Sequence, residues 1–165
     1  RCQILTANGV MNLTIPVEKV SGEKVLDKDV RISSTDWQRV HWNAIESAYN
    51  NSPFFLYYED DIRPMYEKKF EYLLDFNLQL QEILVSLLGI QTEFKLTENY
   101  IDSHQLDLRE VLSPKYKGEL PNFKSTPYYQ VFKEKFGFVE NLSVFDLLFN
   151  MGNESILILR DSYTK

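Results

Sequence analysis

An α+β fold, with a small and mainly antiparallel sheet packed against several α-helices, is what this 165-residue sequence predicts. Three observations point to it. Apolar residues alternate on both sides of an Asn-Gly pair at the N-terminal end. Leucines and aromatics recur at helical spacing through the middle, and a second helical block closes the chain. The length suits one domain, residues 1–165, with no internal repeat and no low-complexity segment.

The first element is a hairpin. In RCQILTANGVMNLTIPV, Asn8-Gly9 is the pair preferred in a two-residue type I′ turn. Such a turn pairs Thr6 with Met11, Ile4 with Leu13 and Cys2 with Ile15 on a buried face. Gln3, Thr14, Leu5 and Asn12 fall on the other face, and Pro16, which has no amide proton, marks the end of the pairing. KDVRIS then alternates Val30 and Ile32 with charge and reads as a third strand.

Helices follow. Thr35 with Gln38 three residues on has the form of a capping box, and the helix it opens runs to about Tyr49. Trp37, His41, Ile45 and Ala48 share one stripe of it, with Trp42 and Tyr49 on the neighbouring stripe. In NNSPFFLYYEDD, Ser52 can cap and Pro53 can open a short helical turn, while the acidic trio at 59–61 suits the start of the next helix. From Ile62 to Leu88 the pattern is one long helix, or two broken near Asp75, with Gly89 placed to end it. TEFKLTENY alternates like another strand, DLREVL fits a short helix, and residues 113–127 form a long loop. YYQVFKEKFGF is compatible with strand or helix. NLSVFDLLFNMG has Ser143 as cap, Asp146 three residues later and Gly152 as stop, and a terminal helix extends from Asn153 to about Arg160.

Composition narrows the function. With 24 acidic and 18 basic residues the net charge is −6, and no block of lysines and arginines gathers to meet a phosphate backbone, so no nucleic-acid partner is expected. No apolar run approaches the roughly 20 residues needed to span a bilayer. A single cysteine, Cys2, leaves no internal disulfide and suits a reducing, cytoplasmic setting. The chain opens at Arg1 within a strand-like pattern, so an upstream segment is expected.

Candidate chemistry is sparse. His41 and His104 are the two histidines, with no His or Cys pair at ligand spacing, so no metal site is expected. The acidic trio Glu59, Asp60 and Asp61 reads as a solvated cluster. The six glycines are isolated turn or cap residues, which form neither a phosphate loop nor a dinucleotide fingerprint, and no cofactor is named by the residues. No Gly-x-Ser-x-Gly elbow is present. Cys2 reads as packing beside Ile15. His41, inside an apolar face, is either a packed histidine with one hydrogen-bond partner or a general base or ligand-binding group, since imidazole titrates near neutrality. SPFFLYY and TPYYQVF each follow a proline with tyrosines, which serve equally as core or as a surface for sugars and small polar ligands.

Three blocks, RCQILTANGVMNLTIPVEK, WQRVHWNAIESAYNNSPFFLYYEDD and YYQVFKEKFGFVENLSVFDLLFNMG, together resemble the WbqC-like family of bacterial proteins, in a form similar to that of Bacteroides-type organisms. The resemblance covers nearly the whole chain, and family members carry a further N-terminal segment rich in proline and aromatics. Arg1, Trp37, His41, Tyr49, Pro53, Phe54, Gln130, Asn141 and Asp146 are the family-like positions. The resemblance implies a role in O-antigen or other surface-polysaccharide biosynthesis, and the transfer of a glycyl or other small acyl group to a sugar. His41 is then the candidate catalytic base, and Arg1, Tyr49, Tyr129 and Gln130 the candidate substrate-binding residues. A non-catalytic binding or assembly protein of the same pathway is the alternative. The residues leave the oligomeric state open.

Overall fold

The computed structural model describes residues 1–19, 25–97, 101–102, 107–112, 116, 118 and 120–164. It has the α+β architecture expected: an N-terminal antiparallel hairpin of β1 (Cys2–Thr6) and β2 (Gly9–Leu13), against which helices gather. The register differs by two residues from that of a type I′ turn, with Cys2 opposite Leu13, Ile4 opposite Met11 and Thr6 opposite Gly9. The physical reason lies in the turn. Positive φ falls on Gly9 alone (+106°), while Ala7 and Asn8 stay on the negative side. That is the pattern of a type I turn followed by a left-handed bulge residue rather than of a turn left-handed at both centres. The Thr6 hydroxyl supports it by donating to the Gly9 carbonyl (2.9 Å) and accepting from the Asn8 amide (3.2 Å). Shifting the register by two keeps each side chain on its face. Leu5 nevertheless departs from expectation: it is 1% exposed, so the hairpin is covered on both sides there.

KDVRIS does not form a third strand. It makes single bridges instead, Ile32 to Val17 and Arg31 to Tyr72, because two different segments flank it and neither runs alongside for long. Residues 91–97 form no strand either; Phe94 and Leu96 stay exposed with no sheet edge beside them, and residues 98–100 lie outside those described. Residues 109–112 make one turn, closed by the Leu112 amide on the Leu108 carbonyl (2.8 Å), rather than a helix.

Helix α1 spans Trp37–Tyr49, and its buried residues are Trp37, His41, Trp42, Ile45, Ala48 and Tyr49. The N-cap is Asp36, not Thr35, and no side chain caps it. Burying each large apolar side chain contributes about 1.5–3 kcal/mol, against about 1 kcal/mol for a cap, so packing is sufficient to form this helix. Ser52 turns its hydroxyl back to the Tyr49 carbonyl (2.6 Å), and α2 (Phe55–Ile62) begins three residues later. The acidic trio sits in the last turn of α2 rather than at the start of the next helix. There Glu59 pairs with Arg63 (3.2 Å), which also reaches Glu67 (2.8 Å). Pro64 then opens the short α3 (Pro64–Glu67) at the position where a missing amide proton costs nothing.

The expected long helix is broken at residues 68–72, upstream of Asp75, where the chain extends to make the bridge to Arg31. Helix α4 follows (Leu73–Leu87) and ends in a Schellman arrangement: the Gly89 amide meets the Ser86 carbonyl (2.9 Å) and the Ile90 amide meets that of Val85 (3.0 Å), with Gly89 at φ +69°. After the short α5 (Lys133–Phe136), Ser143 caps α6 (Val144–Met151) by accepting from the Phe145 amide (3.4 Å), and Gly152 stops it at φ +54°. Helix α7 (Ser155–Asp161) is the last helix among the described residues, and Tyr163 beyond it bridges to Phe123. One hydrophobic core joins Ile4 and Leu13 of the hairpin, the inner face of α1, Phe55 and Ile62 of α2, Phe76 of α4 and Phe145, Leu148 and Phe149 of α6. Among the described residues, no helix is long and apolar enough to cross a membrane.

Candidate functional site

His41 is carried into the molecule by the apolar stripe of α1. Its ring meets Trp37 edge-on (centroids 5.1 Å apart) and lies 6.5 Å from Tyr66, leaving 7% of the residue exposed. Burial lowers its pKa from the ordinary value near 6.5, and the Thr14 backbone carbonyl, within hydrogen-bonding reach, offsets this only in part. The imidazole is therefore uncharged at pH 7 and able to accept a proton. Among the described residues, the buried polar side-chain atoms without a partner are Trp42 Nε1 and Asn150 Oδ1, and neither nitrogen of His41 is one of them. His41 also lines a cavity.

That cavity, of about 210 Å³, lies between the hairpin, α1 and α4. Leu13, Ile15, Phe76, Leu80, Leu84 and Phe145 form its apolar floor and walls; Arg1, Cys2, His41, Tyr66, Asn77 and Ser143 supply its polar atoms. Arg1 is held at the edge by its own bond from Nε to the Thr14 hydroxyl (3.2 Å), so one hairpin residue orients both Arg1 and His41. The Cys2 thiol is pushed up by burial, an effect that a hydrogen bond to Ser143 reduces, and it stays protonated at neutral pH. A larger cavity of about 440 Å³ shares Arg1, Cys2 and Ser143 with the first, so the two abut across these residues. It is lined also by Gln3, Asn12, Tyr116 and Asn141. Through Asn141 and Leu120 it meets a third space of about 920 Å³ bordered by Asn122, Lys124, Ser125 and Glu140. Asn122 and Asn141 both hold left-handed backbone (φ +58° each), which asparagine tolerates better than most residues.

Tyr49 and Gln130 are brought together elsewhere. Asp146, 1% exposed, receives three hydrogen bonds: Tyr49 Oη to Oδ1 (2.9 Å), and Tyr128 Oη (2.8 Å) and Gln130 Nε2 (2.9 Å) to Oδ2. Tyr49 Oη in turn accepts from the Leu5 amide (3.3 Å), and Gln130 exchanges two hydrogen bonds with the backbone of Val139 (2.8 and 2.9 Å). Burial raises the Asp146 pKa, with the three donors working against it, and it raises those of Tyr49 and Tyr128 beyond their ordinary range. The network ties β1, α1, the 128–139 segment and α6 into one unit. Tyr129 is 52% exposed, beside Gln130 in sequence but turned to solvent.

Of the candidate residues suggested by the sequence, then, His41 and Arg1 share a cavity, Tyr49 and Gln130 share the Asp146 network, and Tyr129 belongs to the surface. Tyr66, Asn77 and Ser143 line the cavity although the sequence carries no sign of chemistry at these positions; Ser143 has a cap signal and Tyr66 none beyond being aromatic. His104 lies outside the described residues.

No solved structure matches the chain. An uncharacterized protein of Mycobacterium tuberculosis, Rv1507c, is 26% identical to it over an alignment of 186 positions that covers 97% of this chain and 80% of the relative. The family model described as the WbqC-like protein family matches residues 1–114, which include the hairpin, α1 and the α4 wall of the cavity. The chain belongs to the WbqC-like protein family.

Proposed function

We propose that the protein transfers a small acyl group to a hydroxyl or amine of a sugar, in the cytoplasmic biosynthesis of O-antigen or another surface polysaccharide, with His41 as general base. The pathway comes from the family resemblance; the chemistry rests on one observation, an uncharged imidazole bordering a small cavity with Arg1 at its edge. In the step proposed, the acceptor hydroxyl gives its proton to His41 as its oxygen attacks the carbonyl carbon of an activated acyl donor. The new C–O bond forms, the bond from carbon to the leaving group breaks, and His41 returns the proton to that group. Arg1 binds the carbonyl oxygen or an anionic part of the donor. The abutting outer cavity, with Gln3, Asn12 and Asn141, offers amides to a polyhydroxylated acceptor. Tyr49 and Gln130 act as positioning residues through Asp146, and Tyr129 is kept as an outer acceptor contact.

Deletion of the gene, followed by structural analysis of the surface glycan, tests this reading. A single acyl substituent is expected to disappear, to return with the wild-type gene, and to stay absent with His41→Gln. A glycan unchanged by the deletion overturns it.

A further inference from the structure

Which acyl group the inner cavity would take is decided by its size and charge, given the transfer reading above. A glycyl group carries an α-ammonium, which in peptides titrates at about 7.7–8.0 and is mostly charged at pH 7. Burying it requires a carboxylate or several acceptors. Among the described residues the cavity has no Asp or Glu in its lining. The formal charge in its lining is carried by Arg1 and is positive, which repels an ammonium. Cys2, His41, Asn77, Tyr66 and Ser143 supply neutral polar groups only, and the other six lining side chains are apolar.

We infer that the cavity is a site for a short, uncharged aliphatic acyl group and rejects glycyl. Its volume of about 210 Å³ supports this. A dry apolar cavity of about 150 Å³ is filled by benzene, so this one suits an acyl group of about four to six carbons. The carbonyl lies toward Arg1 and His41, and the chain runs over Leu80 and Leu84 of α4. A sugar ring, with a hydroxyl on nearly every carbon, would leave most of them without partners on this floor, which assigns the sugar to the outer cavity.

The test compares butyramide with glycinamide, which has an ammonium where butyramide has an ethyl group. Binding is read from the imidazole NMR signals of His41, assigned against His41→Gln since the chain has a second histidine. Butyramide is expected to shift them saturably and to bind on the order of tenfold tighter than glycinamide. Asn77 is exposed and Asn77→Asp is isosteric, so the fold is kept; adding this carboxylate should raise glycinamide affinity and leave that of butyramide within about twofold. Leu84→Phe, which fills the cavity, should remove butyramide binding. Glycinamide binding as tightly as butyramide to the wild type overturns the preference while leaving an acyl site in place. If neither amide moves the His41 signals, the cavity is no acyl site and the transfer reading falls with it.

Discussion

Two clusters of polar side chains organise this fold, one buried around Asp146 and one bordering the cavity at His41, and they are built on opposite principles. Around Asp146 each carboxylate oxygen is occupied, the donors are themselves held, and no atom of the carboxylate or of its three donor side chains is left without a partner. Around His41 the polar groups are separated by apolar side chains and border empty space. A fully satisfied buried network rigidifies. A partly unspent one, open to a cavity, has capacity left for a ligand. The comparison separates residues that look alike on paper: Tyr49 and His41 lie two helical turns apart on α1, yet one is spent on structure and the other is available.

The contrast is broken most strongly at Asp146. Asp146→Ala leaves the buried Tyr49 hydroxyl, the half-buried Tyr128 hydroxyl and one of the two N–H groups of the Gln130 amide without an acceptor, and at about 1–3 kcal/mol for each unsatisfied group a loss of about 3–5 kcal/mol of stability is expected. Urea melts against His41→Gln measure the difference, since the histidine variant should fall by no more than about 1 kcal/mol, its ring bordering a cavity rather than closing a network. Equal losses would mean that His41 is as structural as Asp146.

Helix α6 owes its stop to Gly152, and the same position gives the next effect. Its φ of +54° disfavours any side chain, and a Cβ there would come within 2.7 Å of the Phe54 ring, whose own backbone amide is fixed to the Phe149 carbonyl (3.0 Å). Gly152→Ala is expected to cost about 2 kcal/mol, or roughly 4–8 °C in melting temperature. Because neither Gly152 nor Phe54 lines the cavity, butyramide binding at His41 should persist below the melt.

These outcomes also explain what could be read from the chain. The stripe on α1 was legible because a helix repeats every 3.6 residues, and all six residues buried there come from that pattern. Ser143 and Gly152 were legible as punctuation for α6, since capping chemistry is local. Asp146 was not, since a helix-start carboxylate three residues after a serine has the form of a capping box, whereas here it is claimed by Tyr49, 97 positions away, and by Tyr128 and Gln130. The third strand failed for a related reason: alternation in KDVRIS signals a half-buried extended segment, but whether it pairs depends on partners distant in sequence, and two brief ones were found. The cavity combines the hairpin, α1, α4 and the start of α6, which no local pattern links.

Acidity distinguishes the two clusters by sign. The folded pKa of Asp146 is raised by burial, so the native state holds this proton longer than the unfolded chain does. Its contribution to stability is largest at low pH and is lost as pH rises from the ordinary carboxylate value of 3.8 through the raised one. The folded pKa of His41 is lowered, so its contribution is present above the ordinary 6.5 and is lost as pH falls toward the lowered value. Unfolding free energies from pH 4 to 8 should therefore lose a falling component in Asp146→Asn and a rising component in His41→Gln. A His41→Gln profile parallel to that of the wild type would show that the imidazole titrates alike folded and unfolded, removing the case for its neutrality.

The smallest effect is expected at Tyr129, which belongs to neither cluster. With half of its surface in solvent, Tyr129→Ala should change stability by no more than about 0.5 kcal/mol and leave the butyramide shifts at His41 unaltered. Its neighbour Gln130 is fully buried and bonded to Asp146, so truncating it should behave like a weaker Asp146→Ala, with stability falling and the protein otherwise competent when folded. Adjacent residues that differ this sharply give a clean reading of the proposed acceptor contact. If Tyr129 touches the sugar, acyl transfer assayed with the glycan acceptor should show a raised KM and an unchanged kcat, the signature of binding lost equally from ground and transition states. If both constants stay at wild-type values, Tyr129 leaves the site, and acceptor recognition is confined to the amides around the outer cavity.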